Sequence, residues 1–228
     1  MICTSHLYIS MCTAPIYLFS GRSVPARLLC AAPWTKILAI LRNPIDRALS
    51  HYNFVHDWGR HKGKSFDFFV REDIQVLRRT GVVRNWERTN FTEFSGSAEE
   101  FNHWERYLQI AKGAGPVGRG LYAIQLEIWF EEFNKINKSI AEDLLVLQSE
   151  ETKANPRDAY RQAVEFLGLE RRRADRHVLN RDHHATFYVH EGISNETYKL
   201  LYDLYEPYNK RLYRLLGEDI WGGVWDDE

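Results

Sequence analysis

Arg42 and Ser50 stand eight positions apart in one short stretch, KILAILRNPIDRALSHY, residues 36–52. Residues of these types could seat a doubly charged phosphate. A guanidinium is charged at every working pH and offers phosphate oxygens a planar fork of donors. A serine hydroxyl adds a neutral donor, and the start of a helix adds partial positive charge. Arg47 lies one turn before Ser50 and could point either way. The same spacing admits a plainer arrangement, in which Arg42 pairs with Asp46 and Ser50 merely occupies a helix surface.

For such a seat to work, rigid elements must carry it. Ile37–Leu41 is a continuous apolar run closed by Asn43-Pro44, which suits a strand buried on both faces of a parallel sheet. Proline at 44 disfavours helix at Asn43 and suits the first turn of a helix after it. Ile45, Ala48, Leu49, Tyr52 and Val55 then recur at helical spacing. The unit reads strand, tight turn, helix, with Arg42 at the carboxyl end of the strand, where open α/β sheets hold ligands.

Further elements follow from pattern. Leu121–Phe133 carries an apolar stripe, with Glu127, Glu131 and Glu132 largely outside it. Leu144–Leu147 reads as a second buried strand, and Asn155-Pro156 starts a helix that stops near Gly168. Ser194 caps a last long helix that Pro207 is expected to bend or break. Residues 59–119 are polar with scattered aromatics, and helices are expected at about 65–80 and 97–112. Strands separated by helices predict an α/β fold around a central parallel sheet.

Composition narrows the function classes. The 228 residues suffice for one sizeable core, and a single domain over 1–228 is expected. A net charge of −1 offers no global field for nucleic acid, so no nucleic-acid partner is expected. Locally, six Lys/Arg against Asp46 and Asp57 between Lys36 and Lys64 favour a small anion. Cys3, Cys12 and Cys30 form no CxxC pair and have no histidine cluster beside them, so no metal site is expected. The start of the chain lacks a basic opening and is broken by Pro15. It reads as neither signal peptide nor anchor, and no other stretch is long enough for a membrane segment.

RNPIDRALSHY, preceded by KILAIL, resembles the 3′-phosphate-binding motif of sulfotransferases that use 3′-phosphoadenosine 5′-phosphosulfate (PAPS), of the heparan-sulfate-type and bacterial branches. The resemblance continues in order. APIYLF with VPARLLCAAP is similar to the family's upstream strand and helix, and RGLYAIQLEIWFEEF to its "GxYaxxLexWlxxF" helix. LLVLQSEETKANPRDAYRQAVEFLGL and LYEPYNKRLYRLLGEDIWGG match later family segments. The likeness implies a P-loop-like three-layer sandwich around a parallel sheet. It also implies PAPS as donor, no metal, and transfer of a sulfuryl group to a hydroxyl or amine, often of a carbohydrate.

By the same resemblance, Arg42 and Ser50 would grip the donor's 3′-phosphate. Arg181, just before HEGISNETYKLL, could reach the nucleotide, or belong to a solvated basic turn. Tyr122 could stack on or hydrogen-bond the donor, or belong to the core. The acceptor is expected to be a carbohydrate or other small molecule, with the aromatic insert 59–119 as the place to look for its contacts. No residue is assigned as the catalytic base.

The family's first donor loop, a lysine- and glycine-rich turn that cradles the 5′-phosphosulfate, has no counterpart before Pro15, so the fold is expected to be N-terminally incomplete. Three explanations stand: a fragment of an active enzyme, an inactive relative that binds nucleotide or glycan, or replacement by local residues such as Lys36, His51 or His56. A longer parent carrying an anchor would place the domain in the Golgi; otherwise a soluble protein is expected. A nucleotide kinase or NTPase on a similar fold lacks support, because Lys112–Gly120 is not followed by the Lys-Ser/Thr of a phosphate loop.

Overall fold

Ile37–Leu41 forms strand β1 and Leu144–Gln148 forms strand β2. They pair in parallel, with Ile37 opposite Leu144 and Leu41 opposite Gln148. The computed structural model describes residues 17–57, 63–84, 94–111, 115–169 and 193–226. Among these, the sheet has two strands. Arg181 lies outside the described residues.

The parallel sheet is as expected, but its burial is not. Leu41 is buried, whereas Leu38 and Ile40, on the opposite face of β1, are 38% and 53% exposed. The physical reason is one-sided cover. Within the described residues, the helix Pro156–Phe166 packs against β2, and the face of β1 carrying Leu38 and Ile40 has no comparable layer.

Helices surround the sheet. In chain order they are α1 (Ser23–Ala31), α2 (Pro44–Asp57), α3 (Phe66–Thr80), α4 (Ala98–Ala111), α5 (Tyr122–Lys135), α6 (Ile140–Asp143), α7 (Ser149–Ala154), α8 (Pro156–Phe166), α9 (Asn195–Leu216) and α10 (Glu218–Trp221). Of the APIYLF segment only residues 17–19 are described; with Ser20 they form turns and a bend, and among the described residues regular structure starts with α1.

Local chemistry explains the helix ends. The Asn43 side-chain oxygen accepts from the backbone N–H of Ile45 at 2.9 Å and of Asp46 at 3.4 Å, so Asn43 caps α2 while Pro44 takes its first position. Ser65 caps α3 by accepting from Phe68 N–H, and Gly81, at φ 81°, ends it in a left-handed turn. Ser65→Ala should lower unfolding free energy by about 1 kcal/mol in urea titrations, the usual cost of a lost cap. Ser194 caps α9 through the Thr197 N–H, as the sequence suggested. Of the bend or break expected at Pro207, the break does not occur: α9 runs unbroken from Asn195 to Leu216. Burial of Leu204, Tyr205, Tyr208 and Leu212 on both sides of the proline offsets the missing backbone hydrogen bond.

Two hydrophobic clusters share α5 as their wall. One joins α2, α3, α4 and α9 around Trp104, Tyr107 and Tyr205; the other joins β1, α1, α5 and α9 around Leu126, Phe133 and Trp225. Apolar residues on nearly every side of α5, from Ile124 to Phe133, account for its central place. Between the two clusters Arg211 is held by two carboxylates. Its Nη1 and Nη2 each donate to Glu100 at 2.7 Å, and its Nε donates to Glu127 at 2.7 Å. Glu100 is wholly buried, and its carboxylate also accepts from the Gly96 N–H.

The aromatics of the insert mostly serve this core. Phe66, Phe94, Phe101 and Trp104 are buried, while Phe68 stays exposed beneath the Lys64 ammonium. Trp86 and Phe91 lie outside the described residues. No helix among the described residues is long and apolar enough to cross a membrane.

Candidate functional site

The site gathers where both strands end. Arg42 follows Leu41 directly, and Glu150 stands two residues beyond the end of β2. The Asn43 N–H donates to Glu150 Oε1 at 2.9 Å, tying the two strand ends together. Glu150 Oε2 also accepts from the Trp225 indole N–H at 3.5 Å. A role for Glu150 was not foreseen in the sequence; its signal was its place just past the second apolar run.

The Arg42 guanidinium is about one-third exposed and reaches Asp46 Oδ2 at 3.5 Å. The plainer pairing is therefore present. It is also long, monodentate and solvent-facing, the kind of contact worth between nothing and about 1 kcal/mol. Asp46 and Ser50 are four residues apart on α2, so Arg42, Asp46 and Ser50 lie along one side of the strand–turn–helix unit. Ser50 is half-buried on the same helix. Neither Arg42 nor Ser50 is sealed in an apolar interior.

Arg47 takes the other direction. Its guanidinium donates to the Pro116 carbonyl, and its buried Nε has no hydrogen-bond partner among the described residues. It belongs to the support of the site rather than to its open face. Lys36 is also committed elsewhere: it stands before β1, at the end of the strand away from Arg42, and donates to the Glu142 carbonyl at 2.7 Å. His51 is half-buried on α2; the side chain of His56 is not among those described.

Tyr122 is buried at the start of α5, and its hydroxyl donates to the Arg42 carbonyl at 3.0 Å. Burial is the main cause of a raised pKa for that hydroxyl, which keeps it a neutral donor. The bond fixes the backbone from which the Arg42 side chain departs. Tyr122→Phe leaves that carbonyl without this partner, and should cost about 1–2 kcal/mol of stability, measured by chemical unfolding.

The loop before α5 is held from beneath. Asp73, on α3 and 6% exposed, accepts from Val117 N–H at 2.7 Å, Gly118 N–H at 3.0 Å and Tyr107 OH at 2.8 Å. Burial pushes the Asp73 carboxyl above the ordinary carboxylate range, against the pull of those three donors. Tyr205 OH donates to the Val117 carbonyl at 2.8 Å, and Gln125 Nε2 to the Arg119 carbonyl at 3.1 Å. Gly118 leaves no room for a side chain, since a Cβ there would stand 2.2 Å from the Tyr107 hydroxyl oxygen.

A cavity of about 310 Å³ between α1, α4 and α5, lined by Arg22, Phe101, Glu127 and Phe130, shares no residue with this site. Among the described residues, no group of three or more His, Cys, Asp or Glu side chains could hold a metal ion.

Comparison with known proteins identifies this architecture. Residues 24–192 match the family described as the sulfotransferase domain. The chain belongs to the sulfotransferase domain family. Among curated sulfotransferases, heparan sulfate glucosamine 3-O-sulfotransferase 3A1 of Mus musculus is 25% identical over 235 residues, covering 94% of this chain and 50% of the relative. Heparan sulfate glucosamine 3-O-sulfotransferase 6 of Homo sapiens is 23% identical, covering 94% and 57%. The membrane-associated sulfotransferase kil1 of Dictyostelium discoideum is 22% identical, covering 90% and 51%. The chain thus spans about half the length of the curated relatives it matches. A crystal structure of a sulfotransferase from Alicyclobacillus acidocaldarius superposes with a TM-score of 0.57 at 22% identity, covering 88% of this chain and 62% of that one. The fold is therefore the α/β fold of sulfotransferases.

Proposed function

We propose that the chain is the 3′-phosphate-binding part of a PAPS-dependent sulfotransferase that acts on a hydroxyl or amine of a carbohydrate. The observation that carries this reading is the position of the Arg42 guanidinium. It is partly exposed at the carboxyl end of β1, weakly held by Asp46, with Ser50 along the same side of the following helix. The donor set fits the group: a charged planar fork and a hydroxyl suit a dianion, and little is lost when Arg42 exchanges Asp46 for phosphate. That phosphate separates PAPS from ATP-like nucleotides.

In the reaction, an acceptor oxygen or nitrogen attacks the sulfur, a new bond to sulfur forms, and the bond from sulfur to the 5′-phosphate oxygen breaks. The acceptor's proton leaves to a base not assigned in this chain, and adenosine 3′,5′-bisphosphate departs. Negative charge spreads over the sulfuryl oxygens, as in phosphoryl transfer, so fixed positive groups lower the barrier. The chain's own share is to anchor the nucleotide's 3′ end, through Arg42 and Ser50, on a turn that Tyr122 and Glu150 hold in place.

A glycan acceptor is favoured by the relatives named for heparan sulfate glucosamine. A Golgi setting rests on the resemblance alone. Transfer of radiolabelled sulfate from PAPS to a heparan-type oligosaccharide tests the reading. Transfer that needs both PAPS and the chain supports it. Binding of adenosine 3′,5′-bisphosphate without transfer would favour a nucleotide-binding protein on the same fold, and neither binding nor transfer would end the proposal.

A further inference from the structure

We propose that Asp73 is a positioning residue for the 3′-phosphate seat, acting through the loop of residues 115–120; the inference rests on the donor reading above. Among the described residues Asp73 makes no hydrogen bond to Arg42 or Ser50; its partners are Tyr107, Val117 and Gly118. What it holds is the loop that meets the start of α2 and leads into Tyr122, the partner of the Arg42 carbonyl.

Four observations connect it to the seat. The carboxylate takes the backbone N–H groups of Val117 and Gly118 on one oxygen and Tyr107 OH on the other. The loop it grips abuts α2, since a Cβ at Gly120 would stand 2.9 Å from the Cβ of Pro44, the first residue of α2. The Arg47 guanidinium, one turn into α2, donates to the Pro116 carbonyl. The same loop runs into α5, where Tyr122 OH meets the Arg42 carbonyl at 3.0 Å. Gly120 against Pro44 and Tyr122 against the Arg42 carbonyl thus bracket the two-residue turn, Arg42-Asn43, that aims the guanidinium.

A carboxylate is suited to this place. It accepts several bonds and donates none, so it can bind two successive amides and a hydroxyl at once. Leaving such amides unmatched in a buried site would be costly, which locks the loop in one conformation. A seat for a dianion needs fixed donors more than it needs affinity for its own neighbours. Asp73 therefore supports selectivity for the 3′-phosphate, and not only the fold.

The test compares adenosine 3′,5′-bisphosphate with adenosine 5′-monophosphate by calorimetry, on the full chain and on Asp73→Asn, Asp73→Ala and Leu77→Ala. Leu77, on the same helix and in the core cluster that holds Tyr107 and Val117, makes no hydrogen bond to the loop among the described residues and serves as the control for lost packing. The ratio of the two dissociation constants is the readout, because a general loss of stability weakens both nucleotides together. Asp73→Ala should cut the preference for the 3′-phosphorylated nucleotide by about tenfold. Asp73→Asn, which can still accept from the two amides, should cut it by about threefold. Leu77→Ala should leave it within about twofold of the original chain.

If Asp73→Ala does not fold, Asp73→Asn decides alone. An unchanged ratio in the Asp73 variants beside a clear preference in the original chain would overturn the inference and leave the donor reading intact. No preference in the original chain would overturn both.

Discussion

Arg42→Ala should weaken binding of adenosine 3′,5′-bisphosphate by about 2–3 kcal/mol, roughly 30- to 160-fold, with little change in the stability of the fold. The two halves of this expectation have separate causes. The affinity falls because a charge-assisted, forked contact to a dianion is lost, and neither Ser50 nor the helix end can supply a full charge. The stability is spared because the guanidinium's described contact in the fold is the 3.5 Å approach to Asp46, with both side chains partly exposed. The Arg42 carbonyl still receives the Tyr122 hydroxyl, since the backbone is unchanged. Calorimetric titration gives the affinity and urea unfolding gives the stability. Arg42→Lys should fall between, keeping the charge and losing the fork. An affinity loss that comes only with a comparable loss of stability would point to a structural arginine instead.

Arg211→Met should have the opposite profile. It should lower unfolding free energy by about 3–5 kcal/mol, the usual cost of removing one partner from a buried ion pair. Arg211 neutralises two carboxylates on two other helices, Glu100 on α4 and Glu127 on α5. Glu100 is wholly buried, so without the guanidinium it must either carry an uncompensated charge or take up a proton. The methionine fills much of the volume, which makes the loss electrostatic rather than a cavity effect. Changing both sides, Arg211→Met with Glu100→Gln, should recover part of the loss. Urea unfolding of the single and double variants measures the coupling directly. A single variant within about 1 kcal/mol of the original chain would show that the triad contributes little.

The elements around the site were largely legible in the sequence. The strand Ile37–Leu41 and the helix after Pro44 follow from an apolar run, a proline and a 3.6-residue repeat, all of them local signals. The cap at Ser194 and the stretch Leu144–Leu147 were legible for the same reason. Where expectation failed, distant packing decided. At Pro207 a bend or a break was expected, and the break is absent because Tyr205 and Tyr208 on either side of it are buried deeply enough to keep α9 continuous. The apolar pattern of β1 suggested cover on both faces, but periodicity says nothing of how many layers lie above a strand.

The site divides in the same way. Arg42 and Ser50 stand out because their spacing meets a recognisable motif. Asp73 and Glu150 do not, because each acts on backbone N–H groups far away in sequence, Val117 and Gly118 for one and Asn43 for the other. A carboxylate that serves a distant amide has no spacing rule to announce it. Tyr122 was expected either to touch the donor or to belong to the core, and it is buried in the core. The structure gives its hydroxyl a backbone partner in the Arg42 carbonyl, a role only the folded turn could reveal.

The most direct test is a calorimetric titration of the unmodified chain with adenosine 3′,5′-bisphosphate and, separately, with adenosine 5′-monophosphate. The two ligands differ only in the group that Arg42 and Ser50 are argued to hold. Tighter binding of the bisphosphate by about tenfold or more is the expected result. Equal affinities for the two nucleotides, or heat from neither, would contradict a 3′-phosphate seat at the end of β1.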